Sequence, residues 1–246
     1  MPNHYFHFKQ FSVKQDKSAM KVTTDGCLFG AWCADMLSRF QEDAILTNAP
    51  KQVLDIGTGT GLLSLMIAQK LLTKIDAVEI EPSAAKQAEE NFAASPWSSG
   101  LKVIHQDINE FNPTHFYDVI ISNPPFYEQE LASGKHAKDI AHHSMQLNIR
   151  QLFLFVKQNL REDGIFFLLL PFKRLKEAEK LLSENLLYPI HITEVHQSEK
   201  HQAFRIMLMG TTNRKDLTVS SIIIKDSTGS YTSEFTRLLK DYYLYL

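Results

Sequence analysis

The sequence predicts an α/β fold in which helices cover both faces of a mostly parallel, seven-stranded sheet with a C-terminal antiparallel hairpin strand. Short apolar segments alternate with amphipathic segments between residues 53 and 186, and repeated strand–helix units of this kind build parallel sheets. Two later apolar segments, at residues 189–195 and 203–210, have little sequence between them, which indicates a hairpin at one sheet edge. A glycine-rich turn directly follows the first strand, as in open α/β sheets that bind ligands.

Each element follows from its local pattern. Residues 6–13 alternate apolar and polar side chains, which predicts two short strands. Residues 23–25 offer capping side chains for a helix from Gly26 to about residue 40. Strands are then predicted at residues 53–56, 75–80, 101–105, 117–122, 165–170, 189–195 and 203–210, and helices at about residues 62–72, 82–93, 148–160 and 173–186.

We expect a single domain over residues 1–246, with an N-terminal extension of about residues 1–45 and a C-terminal addition of about residues 215–246. The sequence shows no linker, internal repeat or low-complexity segment that would divide it. The C-terminal addition contains a β-branched segment, which predicts a strand, and then a helix whose apolar residues have helical spacing: Phe235, Leu238, Leu239 and Tyr242.

The composition excludes several classes of protein. Hydrophobic residues make up 44% and charged residues 22% of the chain, which excludes a disordered protein. The longest nearly apolar run, residues 165–172, is far shorter than the roughly 20 residues that span a bilayer, and the first residues lack the apolar segment of a signal peptide. We therefore expect a cytoplasmic protein, favour a monomer, and expect no bound metal because no Cys/His cluster has metal-ligand spacing.

The net charge of −2 hides a strong sorting of charge along the chain. Residues 77–130 hold two basic and nine acidic residues, whereas residues 131–176 hold eight basic and three acidic residues. Residues 1–25 also have more basic than acidic residues. Because a basic footprint is typical of proteins that bind nucleic acid, the near-neutral total does not exclude such a partner.

The glycine-rich turn has the sequence D-I-G-T-G-T-G and leads straight into a helix. Glycines allow the backbone to turn tightly and to approach a ligand, and a helix N-terminus offers unpaired N–H groups. The spacing differs from the G-x-G-x-x-G of dinucleotide binding, and no Lys-Ser/Thr follows as in a phosphate loop. The candidate cofactor-binding residues in this turn are Asp55, Gly57, Thr58, Gly59 and Gly61.

Acidic residues follow the next two predicted strands. Glu79 lies where a carboxylate can accept hydrogen bonds from both hydroxyls of a ribose. Asp107 follows the third strand, where it can meet an adenine amino group. Ile80 and Ile108 are the apolar candidates beside these acids, with Ile108 against the face of the base. The sequence therefore predicts a nucleoside site.

The three segments D-I-G-T-G-T-G, A-V-E-I-E and Q-D-I together resemble those of class I S-adenosylmethionine-dependent methyltransferases. This resemblance implies a Rossmann-like fold and S-adenosylmethionine as the cofactor. Two alternatives remain open, a turn that binds no nucleotide and a dehydrogenase that binds a nicotinamide cofactor.

The fourth strand ends in N-P-P-F, which predicts the catalytic residues Asn123, Pro124, Pro125 and Phe126. Ligands of open α/β sheets bind beyond the carboxyl ends of the strands, so Asn123 would also face the methyl donor. The Asn side-chain oxygen and the Pro124 carbonyl can each accept one N–H of a planar amine. An aromatic ring can then stack on the flat substrate. The alternative is an ordinary Pro-Pro turn with a buried Phe.

The flanking residues narrow the resemblance to the bacterial tRNA(Val) adenine-N6 methyltransferase family, which modifies the adenine just 3′ of the anticodon. The similarity runs from F-K-Q-F and K-V-T-T-D-G near the start, through I-I-S-N-P-P-F-Y, to Y-T-S-E-F-T-R-L-L-K-D-Y-Y-L at the end. It implies tRNA as the partner. The candidate substrate-binding residues are Phe126 or Tyr127 for stacking on the base, and Lys14, Lys135, Lys138 and Arg150 for phosphates.

The motifs leave three points open. Lys21, Thr24 and Asp25 either approach the amino-acid end of the donor or, in the case of Asp25, cap the following helix. A ribosomal-RNA base methyltransferase, acting on adenine N6 or guanine N2, is the alternative enzyme. A protein that binds the donor without catalysis is the alternative from a different class.

Overall fold

The computed structural model describes residues 4–18, 20–42, 50–124 and 149–246, with the side chains of residues 40–42 left out. Its central sheet has eight strands in the order β10-β8-β9-β7-β6-β3-β4-β5, and a separate N-terminal hairpin pairs β1 with β2. The ten strands are β1 Tyr5–His7, β2 Ser12–Lys14, β3 Gln52–Ile56, β4 Lys74–Glu79, β5 Leu101–His105, β6 Tyr117–Ser122, β7 Leu160–Pro171, β8 Tyr188–Ser198, β9 Ala203–Thr211 and β10 Thr218–Lys225.

The prediction of seven sheet strands is one short. The β-branched segment of the C-terminal addition forms β10, which pairs in parallel with β8 and becomes the edge of the same sheet. Ile222 and Ile224 are buried on β10, because alternate side chains of a strand point to one face. Among the described strands of this sheet, β9 alone runs antiparallel to its neighbours, β7 and β8, which confirms the predicted hairpin.

Helices lie on both faces of this sheet, as predicted. They are α1 Thr24–Glu42, α2 Leu62–Ala68, α3 Pro82–Ala93, α4 Ile149–Asn159, α5 Leu175–Glu184 and α6 Ser233–Leu239, with 3-10 turns at Ser98–Gly100 and Phe172–Arg174. Successive strand residues supply opposite faces: Phe167 packs in the cluster with α1, α2 and α6, whereas Phe166 packs in the cluster with α4 and α5. Phe235, Leu238 and Leu239 are buried on the last helix as predicted, whereas Tyr242 is buried in the turn after the helix ends at Leu239.

The carboxyl ends of the parallel strands lie along one side of the sheet, here called the carboxyl edge, and this side positions the site. Ile56, Glu79, Ser122 and Pro171 are the last residues of β3, β4, β6 and β7. The Ser122 hydroxyl donates to the carbonyl of Ile56 at 2.8 Å, which ties the ends of β6 and β3 together. In the part of the chain that the structure describes, no helix has the length and apolar character needed to cross a membrane.

Candidate active site

A cavity of about 560 Å³ opens at the carboxyl edge, beside the ends of β3, β4 and β6. Nine of the predicted site residues line it: Gly57, Thr58, Gly59, Glu79, Ile80, Asp107, Ile108, Asn123 and Pro124. Pockets that bind small molecules have volumes of about 300–1,000 Å³, so the cavity suits a ligand of nucleoside size. The sequence-predicted nucleoside residues and the first half of N-P-P-F therefore surround one space.

The glycine turn owes its shape to three left-handed residues. Gly57, Gly59 and Gly61 have φ values of 69°, 56° and 83°. The backbone N–H groups of Gly57 and Thr58 both donate to the carbonyl of Val78 at 2.9 and 3.2 Å, which fastens the turn to β4. Gly61 does not line the cavity, and a Cβ there would come within 2.5 Å of the Phe92 ring. Gly61 is thus required for the packing of α2 on α3.

Asp55 lies behind the turn and does not line the cavity. Its side chain is fully buried, and its Oδ2 accepts hydrogen bonds from the hydroxyls of Thr58 and Ser64, each at 2.7 Å. Its Oδ1 has no hydrogen-bond partner among the described residues. Burial raises the pKa of the Asp55 carboxyl to about 6, and the two hydroxyl donors oppose that rise. Asp55 therefore holds the turn in place from inside.

The Asp55→Asn variant is expected to lose a pH dependence of stability. The pKa of Asp55 is about 6 in the folded protein and 3.8 in the unfolded chain, so the protonated carboxyl favours the folded state at low pH. This stabilisation is lost as the pH rises through about 6. At 1.36 kcal/mol per pKa unit, the loss amounts to roughly 3 kcal/mol. Urea unfolding from pH 4 to pH 7 should therefore show the stability of the wild type falling relative to that of Asp55→Asn. A constant difference between the two proteins contradicts the prediction.

Glu79 connects the end of β4 to the glycine turn. Its Oε2 accepts a hydrogen bond from the Gly59 N–H at 2.8 Å, and its Oε1 accepts one from the Glu81 N–H at 2.9 Å. Only 8% of the residue is exposed, and it faces the cavity. A carboxylate has about four lone-pair directions, so each oxygen can still accept a hydroxyl. Glu79 can therefore bind a ribose while it fixes Gly59.

Asp107 and Ile108 form the wall beyond β5. Asp107 Oδ1 accepts hydrogen bonds from the backbone N–H and the side-chain amide of Asn109, at 2.8 and 2.9 Å. Its second oxygen has capacity for the amino group of a base. Ile108 is 7% exposed and joins the core beneath the cavity. The pair thus offers one polar and one apolar contact to a flat ring.

Asn123 and Pro124 follow β6 directly, and both line the cavity. Asn123 Nδ2 lies 3.9 Å from the position a Cβ would take at Gly26, so the first turn of α1 faces Asn123. The predicted residues Pro125, Phe126, Tyr127, Lys135 and Lys138 lie outside the described residues.

The N-terminal residues form a further wall of the cavity, of which the sequence motifs had suggested only Lys21. The cavity is also lined by Ser18, Met20, Lys21, Val22 and Thr23. We call residues 14–18 and 20–23 the wall segment. Lys21 thus lies at the cavity, whereas Thr24 and Asp25 are not among the lining residues, and the Thr23 hydroxyl accepts a hydrogen bond from the Gly26 N–H at 3.2 Å.

Two buried amides on α3 hold the wall segment. Gln87 Oε1 accepts hydrogen bonds from the N–H groups of Lys17 and Ser18 at 2.9 and 3.0 Å. Asn91 exchanges two hydrogen bonds with the backbone of Lys14, both at 2.9 Å, and its amide also donates to the Thr60 carbonyl at 2.8 Å. The signal in the sequence is a pair of amides four positions apart on the helix face that buries Ala84 and Ala88.

The Gln87→Ala variant is expected to raise the KM of the small-molecule ligand about tenfold while kcat changes little. The substitution leaves two N–H groups of the wall segment without their acceptor, at a cost of about 1–3 kcal/mol for each buried group. Steady-state kinetics with varied ligand concentration measures the effect. Lys86→Ala, at the neighbouring exposed position of α3, is the control and should leave KM unchanged. Equal KM values for the two variants would mean that the wall segment does not depend on Gln87.

The predicted phosphate-binding cations Lys14 and Arg150 both make ion pairs. Lys14 and Lys17 bind Glu90 at 3.0 and 2.8 Å. These two lysines hold the pKa of the Glu90 carboxyl down at about 2. Arg150 binds Glu184 at 2.7 Å. Lys14 therefore fastens the wall segment to α3, and its role as a phosphate contact stays a prediction.

Asp25 joins α1 to the antiparallel part of the sheet. Its Oδ2 accepts a hydrogen bond from Arg205 Nε at 2.9 Å, although the two residues are 180 positions apart. Its Oδ1 accepts the Gly26 N–H at 3.1 Å. The helix begins at Thr24 and its N-cap is Thr23, so Asp25 lies within the first turn and does not cap the helix as predicted.

Comparison with known proteins places the chain among methyltransferases. The family model for the methyltransferase small domain matches residues 19–185. A protein from Flavobacterium psychrophilum named tRNA1(Val) (adenine(37)-N6)-methyltransferase is 38% identical to this chain. The alignment covers 97% of this chain and 99% of that protein. A protein of the same name from Photorhabdus laumondii is 35% identical, with 98% of this chain and 95% of that protein covered. The chain belongs to this methyltransferase family.

Solved structures confirm the class I methyltransferase fold. One described as a predicted O-methyltransferase from Agrobacterium tumefaciens has a TM-score of 0.61 at 15% identity, covering 78% of this chain and 89% of that one. An S-adenosylmethionine-dependent methyltransferase from Clostridium acetobutylicum has a TM-score of 0.53 at 16% identity, covering 76% of this chain and 92% of that one. Among the described residues of this methyltransferase, no cluster of His, Cys, Asp and Glu has the arrangement to hold a metal ion.

Proposed function

We propose that this methyltransferase transfers a methyl group from S-adenosylmethionine to the exocyclic N6 amine of the adenine 3′ of the anticodon in tRNA(Val). The observation that carries the proposal is the position of Asn123 and Pro124 in the same cavity as Glu79 and the glycine turn. The chain also matches proteins named for this reaction along nearly its whole length. A ribosomal-RNA base remains the alternative substrate.

The residues of the cavity fit S-adenosylmethionine. Glu79 would hold the ribose hydroxyls, and Asp107 with Ile108 would hold the adenine of the donor. The backbone of Gly57 and Gly59 would approach the middle of the molecule, since neither glycine places a side chain in the way. Lys21 and Thr23 of the wall segment lie on the remaining side of the cavity. The cofactor supplies a methyl group that its sulfonium has already activated.

The chain's task is to position the amine. The lone pair of an exocyclic adenine nitrogen is conjugated into the ring, which makes the nitrogen a poor nucleophile. The Asn123 side-chain oxygen and the Pro124 carbonyl accept its two N–H groups, which favours a pyramidal nitrogen with its lone pair free. Proline supplies a carbonyl with no competing N–H of its own. The nitrogen would form its new bond to the methyl carbon as the carbon–sulfur bond of the donor breaks and a neutral thioether leaves. The nitrogen would then lose one proton to water, so no strong base is needed.

Recognition of the base belongs to residues beyond Pro124. We propose that Phe126, with Tyr127 as the alternative, stacks on the target adenine and that Lys135 and Lys138 contact phosphates. An anticodon-loop base suits this arrangement, because it is not held in a duplex and costs at most a few kcal/mol to present. Sequence-specific RNA recognition commonly uses such unpaired bases and aromatic platforms.

Nucleoside analysis of tRNA(Val) after reaction with the purified protein and labelled S-adenosylmethionine tests the proposal. N6-methyladenosine at the position 3′ of the anticodon is expected, and a transcript with guanine at that position should stay unlabelled. Label only in ribosomal RNA supports the alternative substrate. Donor binding without transfer to any RNA would indicate a binding protein, and titration with a nicotinamide cofactor tests hydride transfer.

We also propose that the protein acts as a monomer of one domain in the cytoplasm. A tRNA substrate and its methyl donor meet in that compartment. The C-terminal addition extends the central sheet through β10 and returns through α6, which packs against α1, so it has no separate core of its own. Size-exclusion chromatography with light scattering measures the oligomeric state.

A further inference from the structure

Four cations from two distant segments meet at the carboxyl edge of the antiparallel part of the sheet. Lys173 and Arg174 are the last two residues of the 3-10 turn that follows β7, and Arg205 lies near the start of β9. Pro171 pairs with Arg205 in the antiparallel register, and the 3-10 turn that holds Lys173 and Arg174 packs against β9. Lys200 lies in the tight turn between β8 and β9. We call Lys173, Arg174, Lys200 and Arg205 the basic strip.

The basic strip begins beside the candidate active site. Arg205 Nε is 2.9 Å from Asp25 Oδ2, and Asp25 directly precedes Gly26. Gly26 lines the cavity and faces Asn123. If one base of a nucleic acid lay at Asn123, the backbone next to that base would therefore lie within reach of Arg205 and of the turns that carry Lys173 and Lys200.

Charge is divided between the two halves of the carboxyl edge. The half at the ends of β4 and β5 carries Glu79, Glu81 and Asp107, which surround the nucleoside part of the cavity. The half at β7 and β9 carries the basic strip, in which Asp25 pairs with Arg205 and Glu177 pairs with Arg174. Lys173 and Lys200 are both exposed, and Glu199 precedes Lys200. Counting Lys21 in the cavity and the three acids beside the strip, the first half carries a net charge of −2 and the second +1, so the second half is the more favourable one for a polyanion.

We propose that the basic strip binds phosphates of the tRNA backbone next to the target adenine, a role that rests on the proposed function. Arg205, whose guanidinium is oriented by Asp25, is the anchor nearest the cavity. Lys173 and Lys200 flank it as point charges. Phe204 packs under the Arg205 guanidinium, with the guanidinium carbon 5.5 Å from the ring centroid, which further limits the orientation of that group. Backbone contacts of this kind fix the register of an RNA without reading its sequence.

The Lys173→Glu/Lys200→Glu double variant tests the strip. We expect its Kd for tRNA and its KM for tRNA to rise at least about tenfold, while the Kd for S-adenosylmethionine stays unchanged. Each phosphate contact contributes about 0.7–0.9 to the slope of log affinity against log salt concentration, so the slope should fall by about 1.5. The matched control is Lys74→Glu/Lys102→Glu, which makes the same change in net charge at exposed positions near the starts of β4 and β5.

Three outcomes decide the proposal. A larger loss of tRNA affinity in the strip variant than in the control, with donor affinity and melting temperature retained, supports it. Equal losses of tRNA affinity in the two variants would mean that net charge alone explains the effect, and this would overturn the proposal. A slope of log affinity against log salt concentration that stays unchanged in the strip variant would also overturn the proposal. Because tRNA binding is measured without donor, the strip is tested even if the wild type methylates no tRNA(Val), a result that would refute the proposed function alone.

Discussion

The Asn123→Ala variant is expected to lower kcat about 10²–10³-fold and to bind S-adenosylmethionine as tightly as the wild type. Loss of one preorganised polar contact to a reacting group typically costs this much, about 2.7–4 kcal/mol of barrier. Asn123 directly follows β6, whose last residue is hydrogen-bonded to the end of β3, so its position is set by the sheet rather than by a loop. Single-turnover methylation of tRNA(Val) measures the rate of the chemical step.

Asn112→Ala provides the matched control, because Asn112 is exposed and its amide bonds only the nearby Glu110 carbonyl. It should keep full activity. Calorimetric titration with S-adenosylmethionine separates loss of chemistry from loss of the donor site. Unchanged turnover in Asn123→Ala, with donor still bound, would remove this residue from the mechanism.

The Glu79→Gln variant is expected to weaken S-adenosylmethionine binding about 10–100-fold. The Glu79 carboxylate accepts the Gly59 and Glu81 N–H groups on different oxygens, whereas glutamine has only one acceptor oxygen. One buried N–H would therefore face an amide NH₂, and the charge that strengthens the ribose contact would be lost. A hydrogen bond to a charged group contributes about 1.5–3 kcal/mol, which sets this range.

The matched control for Glu79 is Glu89→Gln, at an exposed position on α3. It makes the same chemical change away from the cavity and should leave the donor Kd within about twofold of the wild type, as surface substitutions generally do. Equal donor affinity in Glu79→Gln and Glu89→Gln would contradict a ribose-binding role. A fall in kcat at saturating donor would instead link Glu79 to the position of Asn123.

The parts of the site predicted from sequence are those encoded by contiguous residues. Glu79 ends β4, whereas the glycine turn, Asp107 and Asn123 come after β3, β5 and β6, and parallel strands end at the same edge of a sheet. Their convergence on one cavity follows from that rule once the strands are recognised. Asp55 is an exception to this rule. It belongs to the same motif, but its side chain is buried and bonds the Thr58 hydroxyl, so it supports the turn and does not line the cavity.

Edges and ends of elements were predicted less well. The strand at Thr218–Lys225 was expected only as part of an addition, yet it extends the central sheet, because an edge strand is recognised by what it pairs with and not by its own pattern. The helix predicted to reach residue 72 ends at Ala68, and Leu72 is fully exposed. Its apolar character alone did not bury it.

The sequence by itself determined the fold class, the family and nine of the residues that line the cavity, because each depends on short motifs at fixed positions relative to strands. The tertiary structure alone revealed the contacts that hold the wall segment on α3 and join α1 to the antiparallel part of the sheet. Gln87 reaches Ser18 across 69 positions, and Arg205 reaches Asp25 across 180. Such contacts depend on how helices pack and on the antiparallel register of β7 and β9. A one-residue change in that register would turn Arg205 to the other face of the sheet, and no local pattern specifies it.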